Sequence, residues 1–145
     1  MDDAYFMKQA VAEAKKAFEK DEVPVGAVIV CQERIIGRGY NLTETLLDVT
    51  AHAEIQAITS ASNFLGSKYL NDCTIYVTLE PCSMCAAALA WSQIRRIVYG
   101  CIDEKKGFHI YKPSLLHPKT LYTSGILEDA CSTLLTDFFK IKRQK

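Results

Sequence analysis

The chain has 145 residues, the length of one ordinary domain, so we expect a single domain spanning residues 1–145. Hydrophobic residues make up 49% and charged residues 23% of the chain, which excludes a disordered, collagen-like or low-complexity protein. The 17 Lys and Arg residues balance 17 Asp and Glu residues, so any binding to nucleic acid must use a local basic patch.

The first half of the sequence predicts a helix, a hairpin and a second helix. Apolar residues spaced i, i+3, i+4 and i+7 predict an amphipathic helix from Asp3 to Lys20. The β-rich run 25–30 and the second apolar run through 35–36 predict a β-hairpin. Residues 41–50 are polar, and a helix is predicted over residues 51–62 with Thr50 as its N-cap.

The second half alternates strands with helices. A buried strand is predicted over residues 74–78, and Pro81 suits the first turn of a helix that runs to about Ser92. Another strand is predicted at 97–99, followed by a long connection over 103–118 with room for one helical turn. A short strand at 121–123 precedes a C-terminal helix from Leu127. This order predicts a three-layer α/β/α sandwich around one mixed five-stranded sheet.

The cysteines are interpreted as thiols or metal ligands. No run approaches the roughly 18 apolar residues of a membrane span. The acidic N-terminus has no secretory signal, so we expect a cytoplasmic protein without membrane association. In that compartment six cysteines do not indicate a disulfide framework.

Two short motifs open the second and third predicted helices. They are His52-Ala53-Glu54 and Pro81-Cys82-Ser83-Met84-Cys85. A Cys-x-x-Cys pair on a first helical turn presents both sulfurs on one side, and His52 can supply a third ligand. Such a set leaves one vertex of a zinc tetrahedron open for water, as catalytic zinc sites do. The sequence therefore predicts one zinc ion per chain, bound by His52, Cys82 and Cys85.

Each motif alone has a simpler interpretation. Cys82 and Cys85 can form a redox pair, His52 can be an ordinary hydrogen-bonded histidine, and Glu54 can be a solvated carboxylate. The co-occurrence of the two motifs favours zinc. Glu54 then suits a proton shuttle that takes a proton from water at the open vertex and returns it to a substrate nitrogen.

The two motifs resemble the cytidine deaminase-like superfamily. Further stretches narrow the resemblance to bacterial tRNA-specific adenosine deaminases and cover nearly the whole chain. These stretches are Glu22-Val23-Pro24-Val25-Gly26-Ala27-Val28, Asn41, Thr50-Ala51-His52-Ala53-Glu54, Tyr76-Val77-Thr78-Leu79-Glu80-Pro81-Cys82, Ser92-Gln93-Ile94 and Leu134-Leu135-Thr136-Asp137-Phe138-Phe139.

The resemblance implies a zinc hydrolase that converts adenosine to inosine at the wobble position of a tRNA anticodon loop. It also implies that Asn41 hydrogen-bonds the purine or its ribose and that the enzyme is a homodimer. The other substrate-binding residues that it implies are Val25, Gly26, Ala27, Ala53, Phe138 and Phe139. A basic rim for RNA is expected from Lys140, Lys142, Arg143 and Lys145 of the tail with Lys105 and Lys106.

The sequence departs from the usual family pattern most clearly between Gly107 and His117, where a small-residue loop is missing. Smaller departures occur at Ser83, Ala87, Trp91 and Gln93. A second hypothesis is therefore a deaminase of a free base or nucleotide, such as guanine, cytosine or a deoxycytidine nucleotide. His109 and His117 are expected to make ordinary loop hydrogen bonds.

Overall fold

The computed structural model describes residues 1–144. Within that range, four α-helices and five β-strands follow one another in the predicted order. The helices are α1 (Asp3–Glu19), α2 (Ala53–Leu65), α3 (Ser83–Trp91) and α4 (Glu128–Arg143). The strands are β1 (Gly26–Cys31), β2 (Arg34–Tyr40), β3 (Cys73–Leu79), β4 (Arg96–Cys101) and β5 (Leu121–Thr123).

The strands form one mixed sheet, as the sequence predicted. Its order is β2-β1-β3-β4-β5. Strand β1 pairs antiparallel with β2 and with β3, whereas β3, β4 and β5 run parallel. The β1–β2 turn consists of Gln32 and Glu33, both with positive φ, which is the backbone of a tight two-residue hairpin.

Helices cover both faces of the sheet. Ala27 and Ile29 of β1 pack in a core with α2 and α3, while Val28 and Val30 pack in a second core with α1 and α4. Successive side chains of a strand point to opposite faces, so a strand buried on both sides is a continuous apolar run. The three-layer α/β/α prediction is confirmed.

One edge of the sheet gathers three chain segments. The parallel strands β3 and β4 end side by side, with Leu79 paired to Cys101. The antiparallel strand β1 begins at the same edge, where the Gly26 N–H donates to the Thr78 hydroxyl at 3.1 Å. The residues before β1, after β3 and after β4 therefore meet, as at the ligand-binding edge of many α/β proteins.

One local prediction is corrected and another is confirmed. Helix α2 begins at Ala53 with His52 as its N-cap, and Thr50 does not cap it because its hydroxyl donates to Asp48 at 2.8 Å. The long connection after β4 contains a single 3-10 turn, Phe108–Ile110, within the predicted span. None of the helices within residues 1–144 is both long and apolar enough to span a membrane.

Candidate active site

Two helix N-termini bring three potential metal ligands together. His52 and Cys82 are the N-cap residues of α2 and α3; both have extended backbones, and neither side chain caps its own helix. The Nδ1 atom of His52 instead lies 3.6 Å from the sulfur of Cys82 and 3.5 Å from that of Cys85. N-cap residues are usually Ser, Thr, Asn or Asp, whose side chains cap the helix. His52 and Cys82 make no such capping hydrogen bond, and their side chains form the cluster instead.

The geometry of the cluster fits a tetrahedral zinc ion. Zn–N bonds of about 2.0 Å and Zn–S bonds of about 2.3 Å at a tetrahedral angle put the nitrogen and sulfur about 3.5 Å apart. The two measured N–S distances match this spacing. Within residues 1–144, no fourth His, Cys, Asp or Glu joins the group. A metal held here would keep one coordination position open.

The protonation of the two cysteines differs sharply. The Cys85 thiol hydrogen-bonds to the Cys82 sulfur and, with His52, lowers the pKa of Cys82 to about 4 despite burial. The same contact and burial raise the pKa of Cys85, and Cys82 raises the pKa of His52. Without a metal, Cys82 is therefore a thiolate that shares the proton of its neighbour, a ligand prepared for a cation.

Glu54 lies in the first turn of α2, is 4% exposed and lines the same cavity as His52. Burial raises its pKa to about 7, and the Cys82 thiolate contributes to the increase. In a helix, side chains two positions apart point to nearly opposite sides. His52 has an extended backbone, so this separation does not apply to His52 and Glu54. Glu54 can thus exchange protons near neutral pH beside the cluster.

Two of the three cluster residues, His52 and Cys82, line a cavity of about 770 Å³, within the size range of small-ligand sites. Four of the predicted substrate-binding residues line it. They are Val25, Asn41, Ala53 and Phe139. The other lining residues come from the segment before β1, the segment after β2, the start of α2, the ends of β3 and β4 with the residues that follow them, and α4. The three segments that meet at this sheet edge therefore contribute to the cavity, together with the segment after β2, the start of α2 and helix α4.

Three predicted substrate-binding residues do not line the cavity. Gly26 packs so closely on α1 that a Cβ would collide with the Ala10 carbonyl, and Ala27 is completely buried in the core. Phe138 is also buried, edge-to-face on Phe18 at 5.8 Å. Adjacent helical residues point about 100° apart, so only Phe139 of the Phe-Phe pair faces the cavity.

Asn41 has a structural role as well as a position in the cavity wall. Its amide nitrogen donates to the Val23 carbonyl at 3.3 Å, and its amide oxygen accepts from the Thr43 N–H at 3.4 Å. The turn-capping interpretation and the substrate-binding interpretation therefore apply to the same residue. Both Val23 and Thr43 also line the cavity.

Sequence reasoning missed several cavity residues. Glu80, Ser132 and Thr136 lie in the wall, although none belongs to the motifs that predicted the metal site. Glu80 directly precedes Pro81, and that proximity to the motif was the available signal. Thr136 belongs to the 134–139 stretch that carries the family resemblance, whereas Ser132 lies outside every such stretch and reaches the site only through tertiary packing.

The segment that departs from the family pattern does not line the cavity. Within the connection between β4 and β5, the last lining residue is Lys106, whereas the departure runs from Gly107 to His117. As predicted, its two histidines make loop hydrogen bonds: His109 pairs with Glu80, and His117 Nδ1 accepts from the Lys119 N–H at 3.1 Å.

The predicted basic rim is present only in part. Lys105 and Lys106 line the cavity. Lys142 forms an ion pair with Asp21 at 2.6 Å and lies over the Phe138 ring, so it is less available to RNA than predicted. Lys140 and Arg143 are exposed, and Lys145 lies outside the described residues.

Comparison with known proteins identifies relatives along most of the chain. A family model described as the cytidine and deoxycytidylate deaminase zinc-binding region matches residues 1–101, which include all three residues of the cluster. The tRNA-specific adenosine deaminase of Aquifex aeolicus (strain VF5) is 47% identical over 141 residues, covering 94% of this chain and 93% of that protein.

Solved structures are also similar. One, from a study of A-to-I editing by tRNA:A34 deaminases at the wobble position of transfer RNA, is 44% identical with a TM-score of 0.84 and covers 90% of this chain and 99% of its own. The guanine deaminase of Bacillus subtilis is 38% identical with a TM-score of 0.67, covering 70% of this chain and 66% of its own.

Proposed function

Since this chain belongs to the tRNA-specific adenosine deaminases of the cytidine deaminase-like superfamily, we infer that it converts adenosine to inosine at the wobble position of a tRNA anticodon. The observation that carries this conclusion is the 47% identity to such an enzyme over 94% of the chain. The reaction consumes one water, breaks the C6–N6 bond of adenine and releases ammonia. Because tRNA is its substrate, we propose that the enzyme acts in the cytoplasm.

We propose that His52, Cys82 and Cys85 hold one zinc ion per chain. The tetrahedral spacing of their nitrogen and sulfur atoms supports this assignment. Zinc bound there would supply a Lewis acid that makes a water molecule nucleophilic near neutral pH. The N-termini of α2 and α3 add positive dipole ends beside the thiolates, which stabilises their ionised forms.

Glu54 is proposed as the proton shuttle. Its carboxylate accepts a proton from the attacking water while the water oxygen bonds to C6 of adenine. It delivers that proton to ring N1, then takes the remaining proton of the C6 hydroxyl and passes it to the leaving N6. Ammonia then departs and the C6 oxygen remains as the carbonyl of inosine. The burial of Glu54 in the cavity wall beside the cluster supports this role, because bulk water cannot compete for the transferred proton.

Substrate binding is proposed for the cavity residues that the family resemblance indicated. Asn41 would hydrogen-bond the purine or ribose, with Val25 and Ala53 bordering the base and Phe139 offering a ring for stacking. The carbonyl and N–H partners of Asn41 fix its amide, so its free lone pair and N–H are presented in a defined direction. Such fixed polar groups provide specificity in a largely apolar cavity.

The RNA is proposed to rest on a local basic surface formed by Lys105, Lys106, Lys140 and Arg143. Lys105 and Lys106 are at the cavity, where the phosphates flanking a flipped base would pass. The net charge of zero leaves no whole-molecule field, so these few cations must supply the electrostatic attraction.

We further propose a homodimer. Met84, Ala87, Ala88 and Trp91 are spaced i, i+3, i+4 and i+7 along α3, and none of them is buried. Trp91 is 83% exposed. An apolar stripe with two alanines and an exposed Trp suits self-complementary packing against the same stripe of a second copy.

A second candidate function is deamination of a free purine base, which the 38% identity to a guanine deaminase favours. Ammonia release from unmodified tRNA, beside a panel of free bases, nucleosides and nucleotides, separates the two. We expect turnover of tRNA that contains adenosine at the wobble position and far slower turnover of every small substrate. Faster turnover of guanine than of tRNA would establish the second function instead.

A further inference from the structure

A buried carboxylate joins the metal-binding turn to the segment after β4. The side chain of Glu80 is fully buried, two residues before Cys82. One of its oxygens accepts from the Asp103 N–H at 3.0 Å and the other from the His109 N–H at 2.8 Å. The His109 ring Nδ1 lies 2.9 Å from both oxygens. Both carboxylate oxygens thus accept from backbone N–H groups and lie within hydrogen-bond distance of the same ring nitrogen, to which an N–H at Nδ1 would donate.

The same hydrogen-bonded arrangement continues to the cavity mouth. The Asp103 side chain accepts from the backbone N–H groups of Lys105 and Lys106, at 3.1 and 3.0 Å. Both lysines line the cavity. A continuous set of hydrogen bonds therefore runs from His109 through Glu80 and Asp103 to the two lysines.

The segment that contains Gly107 packs closely on Glu80. A Cβ on Gly107 would collide with the Glu80 carboxylate, so the absence of a side chain at this position lets the segment close over Glu80. The Phe108 N–H donates to the Pro81 carbonyl at 3.0 Å, and Gly107 pairs with Cys82. The segment 103–109 is thereby attached to the cluster-bearing turn at both ends.

We propose that Glu80 and His109 are positioning residues that hold Lys105 and Lys106 at the cavity mouth, where the lysines contact the phosphates of the RNA substrate. This rests on the proposed tRNA function. His109 belongs to the segment that departs from the family pattern. The departing segment does not line the cavity, but its His109 gives the turn that carries Lys105 and Lys106 a further hydrogen-bonded contact through Glu80.

The test compares the wild-type enzyme with His109→Ala on an anticodon stem-loop over a range of salt concentrations. His109→Ala removes the hydrogen bond between the His109 ring and the Glu80 carboxylate. This loss should raise KM roughly tenfold at low salt, with kcat within about twofold. The dependence of log KM on log salt should become shallower by about 0.7 for each phosphate that the displaced lysines no longer neutralise. His109→Asn, whose amide N–H can replace Nδ1–H, should restore most of the affinity.

The route through the lysines is tested in a Lys105→Ala, Lys106→Ala background, where His109→Ala should raise KM no further. His117→Ala, a histidine in the same segment without contact to Glu80, should match wild type. Zinc content and melting temperature are recorded for every variant. An unchanged KM for His109→Ala, or an equal rise in the background without the lysines, would overturn the proposal. Absent wild-type turnover of the stem-loop would instead count against the proposed function.

Discussion

At the scale of single residues, the proposed roles of Glu54 and Cys82 can be separated. Glu54→Gln keeps the shape of the side chain but cannot carry the proton, so turnover should fall at least about 100-fold while zinc stays bound. Cys82→Ser should lose both zinc and turnover, because a hydroxyl is a far weaker zinc ligand than a thiolate. Zinc analysis and ammonia release on the same samples check both outcomes. An active Glu54→Gln enzyme would require a different proton shuttle.

Candidate residues that belong to a short sequence motif could be predicted from the sequence, whereas contacts between distant segments could not. The spacing of Cys82 and Cys85 and the His-x-Glu motif follow from ligand chemistry that needs those residue types close together. The sequence does not reveal which ring of the adjacent Phe138 and Phe139 lines the cavity; in the structure it is Phe139, and Phe138 is buried. The Glu80–His109 contact spans 29 positions, and no local pattern marks it.

At the scale of elements, the Asp3 carboxylate links α1 to two strands of the sheet. Asp3 accepts two hydrogen bonds from the Arg96 guanidinium on β4, at 2.9 and 2.8 Å, and one from the Tyr76 hydroxyl on β3 at 2.8 Å. The hydrogen bonds from Arg96 hold the pKa of Asp3 below its ordinary value of 3.8. Such a two-point Arg–carboxylate pair is the strong form of a surface ion pair.

Because the pKa of Asp3 is lowered in the folded state, the free energy of unfolding depends on pH in the acid range. Above pH 3.8 the carboxylate is ionised in both folded and unfolded chains, and the pair contributes fully. As the pH falls through the lower folded-state pKa, that contribution, about 1 kcal/mol, is lost. Urea unfolding at pH 6 and pH 3 should therefore show a smaller acid loss for Asp3→Asn than for wild type.

Acid also protonates the thiolates of the proposed zinc site, so the informative quantity is the difference in acid-induced stability loss between variants. In an Arg96→Met background, Asp3→Asn should change the acid dependence little, because the main partner is already gone. An equal effect of Asp3→Asn in both backgrounds would assign the acid dependence to another group.

Element types were predicted better than element boundaries. The alternation of β-rich runs and amphipathic stretches predicts the order of helices and strands, since burial dictates those periods. The start of α2 was misplaced because Thr50 is a good N-cap by type, yet its hydroxyl donates to Asp48. His52 takes the cap position although it provides no capping hydrogen bond, which propensity alone does not predict.

At the scale of the whole molecule, the sheet topology explains why the site lies where it does. Antiparallel β1 and parallel β3 and β4 place the start of one strand beside the ends of two others. The mixed sheet could be predicted from the order of elements, but its strand order required the long-range pairings. The α2 and α3 layer carries the His52, Cys82 and Cys85 cluster. The outer surface of this layer is therefore the side on which a partner would lie closest to the site.

The last prediction concerns that outer surface. If the α3 stripe packs against its own copy, Trp91→Glu places a buried charge on each side of the interface, and the dimer should weaken well over tenfold. Mass measurement by light scattering at micromolar concentration should give a dimer for wild type and a monomer for Trp91→Glu. Leu121→Glu adds the same charge at an exposed apolar position on β5 and should remain dimeric. A monomeric wild-type mass, or dimers of equal strength in all three proteins, would show that α3 is not the interface.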